Sequence, residues 1–208
     1  QGAKIKVLDD ISLTISPKST TLIMGTNGSG KTTLLRLISG LIAPSQGTIY
    51  ISNVSLENIY PNHYRSFIGQ SLTEESPFEG TILNNITFGD STISEKDLYW
   101  AIEKVRLTKF VKQQPKGIHT MLFPEGQQIP YNVAKKIVLA RAIVRKPKLL
   151  ILKEPLDQLD EIEALEIMDF LVEKTNPWSV LIVSHDEKWL KRVDHIITLE
   201  DGKIVSKK

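Results

Sequence analysis

Residues Gly25-Thr26-Asn27-Gly28-Ser29-Gly30-Lys31-Thr32-Thr33 constrain this chain more than any other stretch. They fit G-x-x-x-x-G-K-[ST], a loop whose glycines let the backbone close around phosphate oxygens that a side chain would hold off. The run before it, Thr20-Thr21-Leu22-Ile23-Met24, reads as a short buried strand. The run after it, Thr33 to Ile38, reads as a helix with one apolar face. Strand, glycine-rich loop and helix in that order form the setting in which such a loop holds phosphate. Loop amides and the helix N-terminus both turn positive ends toward an anion. In this setting Lys31 is expected to reach the terminal phosphates, and the Thr32 hydroxyl to ligate Mg²⁺.

The length, 208 residues, suffices for one large domain or two small lobes with a real core. Net charge is +2 and the two signs are interspersed, so charge implies neither a nucleic-acid nor an anionic-membrane partner. The absence of cysteine excludes disulfides, thiolate metal sites and cysteine nucleophiles, and suits a reducing compartment. No apolar run approaches the roughly 20 residues of a spanning helix, and no signal peptide is visible. The chain opens at Gln1 and enters an apolar pattern almost at once, which reads as a domain of a longer protein or a processed product. There is no internal repeat and no low-complexity segment.

Along the chain, Lys4 to Leu8 and Ile11 to Ile15 predict two short strands joined at Asp9-Asp10. Turns at 16–19 and 43–47 bracket the phosphate loop and its helix, and Thr48 to Ile51 predicts another strand. Tyr64 to Ile68 then leads into a polar stretch, Gln70 to Ser76. Ser94 with Asp97 three residues on marks a helix start, and Leu98, Ala101, Ile102 and Val105 carry its apolar stripe. A shorter helix is expected near Thr108 to Gln113. Residues of about 71–132 thus read as a helical insertion into a core of 1–70 and 133–208. In the last third, Val133, Ile137, Ala140 and Val144 follow the helical period. Leu149 to Leu152 and Ser179 to Val183 read as strands covered on both faces. Asp160 to Thr175 predicts a helix with Ile162, Leu165, Met168 and Val172 inward. Val193 to Leu199 and Lys203 to Val205 close the chain as strands around Asp201-Gly202.

A second chemical cluster follows the strand Leu149 to Leu152. P-loop enzymes place a metal-binding aspartate at such a strand end. Here that position is Lys153, and Glu154 beside it is suited to orient a water for attack on a γ-phosphate. His185, in Ser184-His185-Asp186, ends the next buried strand and so faces the crevice where doubly wound folds bind ligands.

Taken together, these stretches resemble the nucleotide-binding domain of an ABC transporter, of the exporter type that follows a transmembrane domain in one chain. The resemblance covers almost the whole sequence. Val7 to Leu13 is similar to the family's opening strand pair, and the phosphate loop matches fully. Phe78-Glu79-Gly80-Thr81-Ile82-Leu83-Asn84-Asn85-Ile86 resembles its F-x-G-T-I-x-x-N-I segment. Ala140-Arg141-Ala142 matches the end of the helix after its signature. Glu154-Pro155, Leu159-Asp160 and Ser184-His185-Asp186 resemble the catalytic glutamate, the D-loop and the H-loop.

The resemblance implies an α/β P-loop core with a mainly parallel sheet, an N-terminal antiparallel β section and an inserted helical subdomain. It implies ATP as ligand over Gly25, Thr26, Asn27, Gly28, Ser29, Gly30, Lys31, Thr32 and Thr33. Lys31, Glu154 and His185 would form the catalytic set, and Asp160 would act across a dimer interface. It further implies a transmembrane domain and a second, identical or different nucleotide-binding domain as partners, at the cytoplasmic face of a membrane.

Several positions depart from the family. Its L-S-G-G-Q signature, which presents amides to a partner's γ-phosphate, falls on Ile129-Pro130-Tyr131-Asn132-Val133. Tyr131 and Asn132 crowd the backbone approach that glycines permit, and Pro130 lacks an N–H. The Q-loop glutamine falls on Thr73, with Gln70 nearby, and these two are further candidate metal ligands. The aromatic residue that stacks on adenine falls just before Gln1. Lys153, near the Mg²⁺ position, either repels the metal, replaces part of its charge, or neutralises Glu154. The expectation is a transporter ATP-binding domain in which hydrolysis is weak or absent. The alternatives are a working ATPase motor with weakened sites, a regulatory half, and an ABC-type ATPase without a membrane partner.

Overall fold

The computed structural model describes residues 6–208. Its centre is a six-stranded sheet, built between helices from the apolar runs of the sequence. In chain order the elements are β1 (Thr20–Met24), α1 (Lys31–Ile38), β2 (Tyr50–Ile51), β3 (Val54–Ser55), α2 (Pro61–Ser66) and β4 (Ile68–Ser71). Next come β5 (Gly80–Thr81), α3 (Ile82–Thr87), α4 (Glu95–Lys104), α5 (Thr108–Gln113) and β6 (Met121–Leu122). The last group is α6 (Tyr131–Ile143), β7 (Leu149–Lys153), α7 (Glu161–Val172), β8 (Ser179–Val183), β9 (His195–Glu200) and β10 (Lys203–Lys207).

The sheet order is β10-β9-β1-β8-β7-β4. All its pairs are parallel except the terminal hairpin of β9 and β10. The inner strands are buried on both faces, which is why they read as unbroken apolar runs. Their side chains still alternate between two cores. Leu22, Leu150, Leu152, Val180 and Ile182 face the helical layer of α3 to α7. Ile23, Ile151, Leu181 and Val183 face α1 with Leu34 and Leu35. A parallel sheet points all its C-terminal ends to one edge, so β1, β7 and β8 deliver the phosphate loop, Lys153-Glu154 and Ser184-His185 to the same crevice.

The helices follow their sequence signals. Ser94 caps α4 by accepting the Asp97 N–H at 3.1 Å. Trp100, Phe170 and Trp178 meet edge-on or tilted, with ring centres 5.8–6.3 Å apart, and tie α4 to α7 and to the start of β8. α6 is apolar nearly all round and runs through the core. Its two buried lysines find partners at the surface: Lys136 pairs with Glu163, and Lys135 lies over the Tyr131 ring.

Three expectations need correction. Ile11, Leu13 and Ile15 do pack inward against the α1-side core, but 11–15 joins no ladder among the described residues. The antiparallel pairing of this half is the two-residue pair β2 and β3. Lys4 and Ile5, the start of the other expected opening strand, lie outside the described residues. Ile162 is 69% exposed, because α7 begins at Glu161 and its first turn overhangs the core. The stretch from Ile68 is also more ordered than its polar character suggests. Ile68–Ser71 is the sheet's edge strand, registered against Leu149 to Leu152. Gly69 is buried there, and a Cβ on it would lie 1.9 Å from the Ala142 carbonyl oxygen of α6.

Candidate functional site

The phosphate loop is shaped by two close approaches. Gly25 has φ 144°, and a Cβ there would lie 2.1 Å from the Leu199 carbonyl oxygen of β9. Gly30 has φ 98°, and a Cβ there would lie 2.6 Å from a Leu8 methyl. Only glycine meets both conditions. Among the described residues no hydrogen bond uses the amides of Gly28, Gly30, Lys31 or Thr32. These N–H groups are the donors an anion at a helix N-terminus requires. Thr26, Asn27 and Gly28 form the exposed tip, Ser29 is buried beneath it, and Thr33 sits half-buried in the first turn of α1.

Lys31 is buried at the centre of this loop. Its Nζ donates to the carbonyls of Gly25 at 2.7 Å and Thr26 at 2.6 Å, and reaches Ser29 Oγ at 3.3 Å. Burial pulls its pKa below the usual lysine value, and the nearby Lys153 charge pulls it the same way, while Glu154 opposes them.

Lys153 ends β7 in register with Val183 of β8, which pairs in turn with Ile23 of β1. From there its Nζ donates to Thr32 Oγ1 at 2.8 Å. Glu154 follows in the left-handed region at φ 43°, which strains a residue with a side chain. Its own N–H donates to the Val183 carbonyl at 2.8 Å. Its carboxylate turns to the end of β8, where Oε2 accepts from Ser184 Oγ at 2.7 Å and Oε1 from the His185 N–H at 2.9 Å. The His185 ring is 63% exposed, with Nε2 3.9 Å from the same Oε1. Lys31, Thr32, Lys153, Glu154 and His185 therefore converge, as their places at strand ends predict. Ser184 is an addition: its neighbour's resemblance drew attention, while its hydroxyl does the holding.

The Q-loop candidates lie on and just after β4, which runs parallel to β7 and ends at the same sheet edge. Thr73 is exposed on the turn after β4, and Gln70 donates its amide to Glu75 Oε1 at 2.7 Å. Glu75 is a residue the sequence did not single out. Burial raises its pKa from 4.5 to about 6, against the lowering effect of the Gln70 bond and of Arg141. Arg141 in turn donates to the Asn85 carbonyl at 2.7 Å and lies 4.7 Å from the Phe88 ring centre. It pins the segment 78–88 to α6.

The signature positions also form as their residues dictate. Pro130 is the cap of α6 and makes no side-chain cap bond. Its carbonyl accepts the N–H groups of Val133 at 2.9 Å and Ala134 at 3.1 Å. Tyr131 stands 46% exposed at the helix start. Asp160 spends its carboxylate locally, accepting from Ile162 N–H at 3.0 Å and Glu163 N–H at 3.3 Å to cap α7.

A glycine-rich loop between a parallel strand and a helix, with a buried lysine and unused amides, defines a P-loop nucleotide-binding domain. The family model described as ABC transporter matches residues 8–157. The chain therefore belongs to the ABC transporter family and is an ATP-binding domain of that family. It is 30% identical over 203 residues to human ATP-binding cassette sub-family B member 5, covering 98% of this chain and 16% of that protein. It is 30% identical over 205 residues to the lactococcin-G-processing and transport ATP-binding protein LagD of Lactococcus lactis, covering 98% of this chain and 29% of that one. Its fold matches a bacterial Atm1-family ABC exporter with ATP bound at TM-score 0.87 and 22% identity, over 97% of this chain and 35% of that one. The chain thus spans a third or less of the length of these two curated relatives. No helix among the described residues is long and apolar enough to cross a membrane.

Membership implies ATP binding, typically with Mg²⁺. The residues present do not fit the metal. Where the fold offers a carboxylate there is an ammonium, and it is bonded to the hydroxyl that would ligate the ion.

Proposed function

We propose that this chain is the nucleotide-binding domain through which an exporter-type transporter responds to ATP, with binding retained and hydrolysis weak or absent. One contrast carries the reading: the loop before α1 keeps its glycines and buries Lys31, while α6 begins at Pro130, which has no N–H, and opens with the bulky Tyr131 and Asn132. Its own cradle can hold a triphosphate, but its signature offers little to a triphosphate held by a partner. About 1–70 and 133–208 would form the nucleotide-binding core and about 71–132 the helical subdomain and Q-loop linker. The exposed stretch around Thr73 would face a transmembrane domain of the same or an associated chain. A second nucleotide-binding domain, like or unlike this one, would complete the pair at the cytoplasmic face of a membrane. Binding would be coupled there to movement of a substrate.

In this reading Lys31 leaves the loop carbonyls for phosphate oxygens. Glu154, held by Ser184 and the His185 amide, faces the water position, and His185 contacts the γ-phosphate. The Glu154 and His185 pairing at 3.9 Å supports a second reading, a slow ATPase. Measuring ATP affinity and phosphate release on the wild type and on Lys31→Ala tests both. The expected result is clear binding that falls on the order of a hundredfold in Lys31→Ala, with phosphate release at background. Release well above background that is lost in Glu154→Gln would favour the slow ATPase. No ATP binding at all would sink the nucleotide reading.

A further inference from the structure

Lys153 stands where a carboxylate would hold a divalent cation. Among the described residues neither Lys153 nor Lys31 forms a salt bridge. Glu154, the nearest carboxylate in sequence, is turned toward Ser184 and His185 instead. Two ammonium groups thus border one phosphate cradle, and among the described residues Lys153 makes a single hydrogen bond, to Thr32 Oγ1 at 2.8 Å. In a metal-using site a divalent ion and one carboxylate sum to one positive charge at this place. An ammonium supplies the same single charge with no ion to recruit. Its remaining N–H groups are donors suited to β- and γ-phosphate oxygens. A Mg²⁺ brought to Thr32 would meet this fixed cation at contact range, while the Glu154 carboxylate is bonded to Ser184 and the His185 N–H.

We propose that Lys153 serves as a built-in cation, so that this site binds a nucleoside triphosphate free of divalent metal. The proposal rests on the nucleotide-binding reading above and specifies the ionic form of its ligand. The alternative that Lys153 neutralises Glu154 does not match the structure, where that carboxylate is bonded elsewhere.

Calorimetric titration of the chain with ATP, once in excess chelator and once in excess Mg²⁺, tests it. The expected affinity in chelator equals or exceeds that in Mg²⁺. Lys153→Met is expected to lower the affinity in chelator on the order of tenfold or more, since a charge-assisted bond is lost. Lys153→Arg is expected to keep most of it, and Lys153→Asp to make binding depend on Mg²⁺. Circular dichroism and a thermal melt check that each variant is folded. Should Lys153→Met fail to fold, the wild-type comparison of chelator with Mg²⁺ still decides. ATP bound only with Mg²⁺, or chelator affinity unmoved in a folded Lys153→Met, overturns the built-in cation and leaves the nucleotide site standing. ATP bound in neither condition overturns both.

Discussion

Two helix N-termini in this molecule occupy places where the family meets phosphate; neither has a side-chain cap bond, and they differ in the residues that surround their amides. α1 follows a glycine loop, opens with unused amides and buries a lysine beneath them. α6 follows Pro130, opens with the exposed Tyr131, and carries its nearest cation over that ring. A helix end is an anion site only when the residues before it let an anion reach the amides. Backbone charge is the same at both ends. Side-chain bulk and a missing N–H decide which end is open.

The comparison can be broken hardest at Gly25. Its Ala variant would place a Cβ 2.1 Å from a β9 carbonyl at φ 144°, so we expect a loss of about 3 kcal/mol or more in chemical denaturation. An unchanged midpoint would show that the loop relaxes without cost. A smaller change should come from opening the other helix. The combined variant Pro130→Ser, Tyr131→Gly, Asn132→Gly restores a small, donor-bearing start to α6. ATP-dependent self-association, read by sedimentation velocity, should then strengthen by about tenfold, or about 1.4 kcal/mol. No gain would mean the defect lies elsewhere than at the blocked N-terminus.

A comparable effect, spread over a pH range, sits near the far end of α6, where Glu75 lies among Gln70, Glu74 and Arg141. A carboxyl raised to about 6 binds its proton more tightly in the folded chain than in the unfolded one. Its contribution is therefore greatest in acid and is lost as pH rises from about 4.5 to about 7, by about 1–2 kcal/mol. Thermal melts across that range should fall more steeply for the wild type than for Glu75→Gln. Parallel pH profiles would remove Glu75 as the cause.

The α/β alternation was legible because buried parallel strands are unbroken apolar runs and because Ser94 and Asp160 announce their helices. The phosphate loop, Lys153, Glu154 and His185 were legible because strand ends in a parallel sheet share one edge. Other parts were not. Ile11, Leu13 and Ile15 alternate as a strand does, yet a ladder needs a partner edge, and no local pattern reports one. Ile68–Ser71 looked polar because an edge strand is not obliged to be apolar. α3 was hidden inside a motif whose residues drew attention for their identity. The direction of the Glu154 carboxylate depended on Ser184 and His185, thirty-odd residues away.

The sequence by itself determined that a P-loop motif is present and that a lysine stands where the family has a metal-binding aspartate, since both are matters of residue type at fixed local spacing. Only the tertiary structure decided what that lysine does. Lys153 could have paired with Glu154 beside it. The left-handed turn at Glu154 aims the carboxylate at β8, and the register of β7, β8 and β1 sets the ammonium on Thr32 instead. Charges adjacent in a chain need not meet, because the fold sets where each side chain points, and contact follows direction rather than spacing.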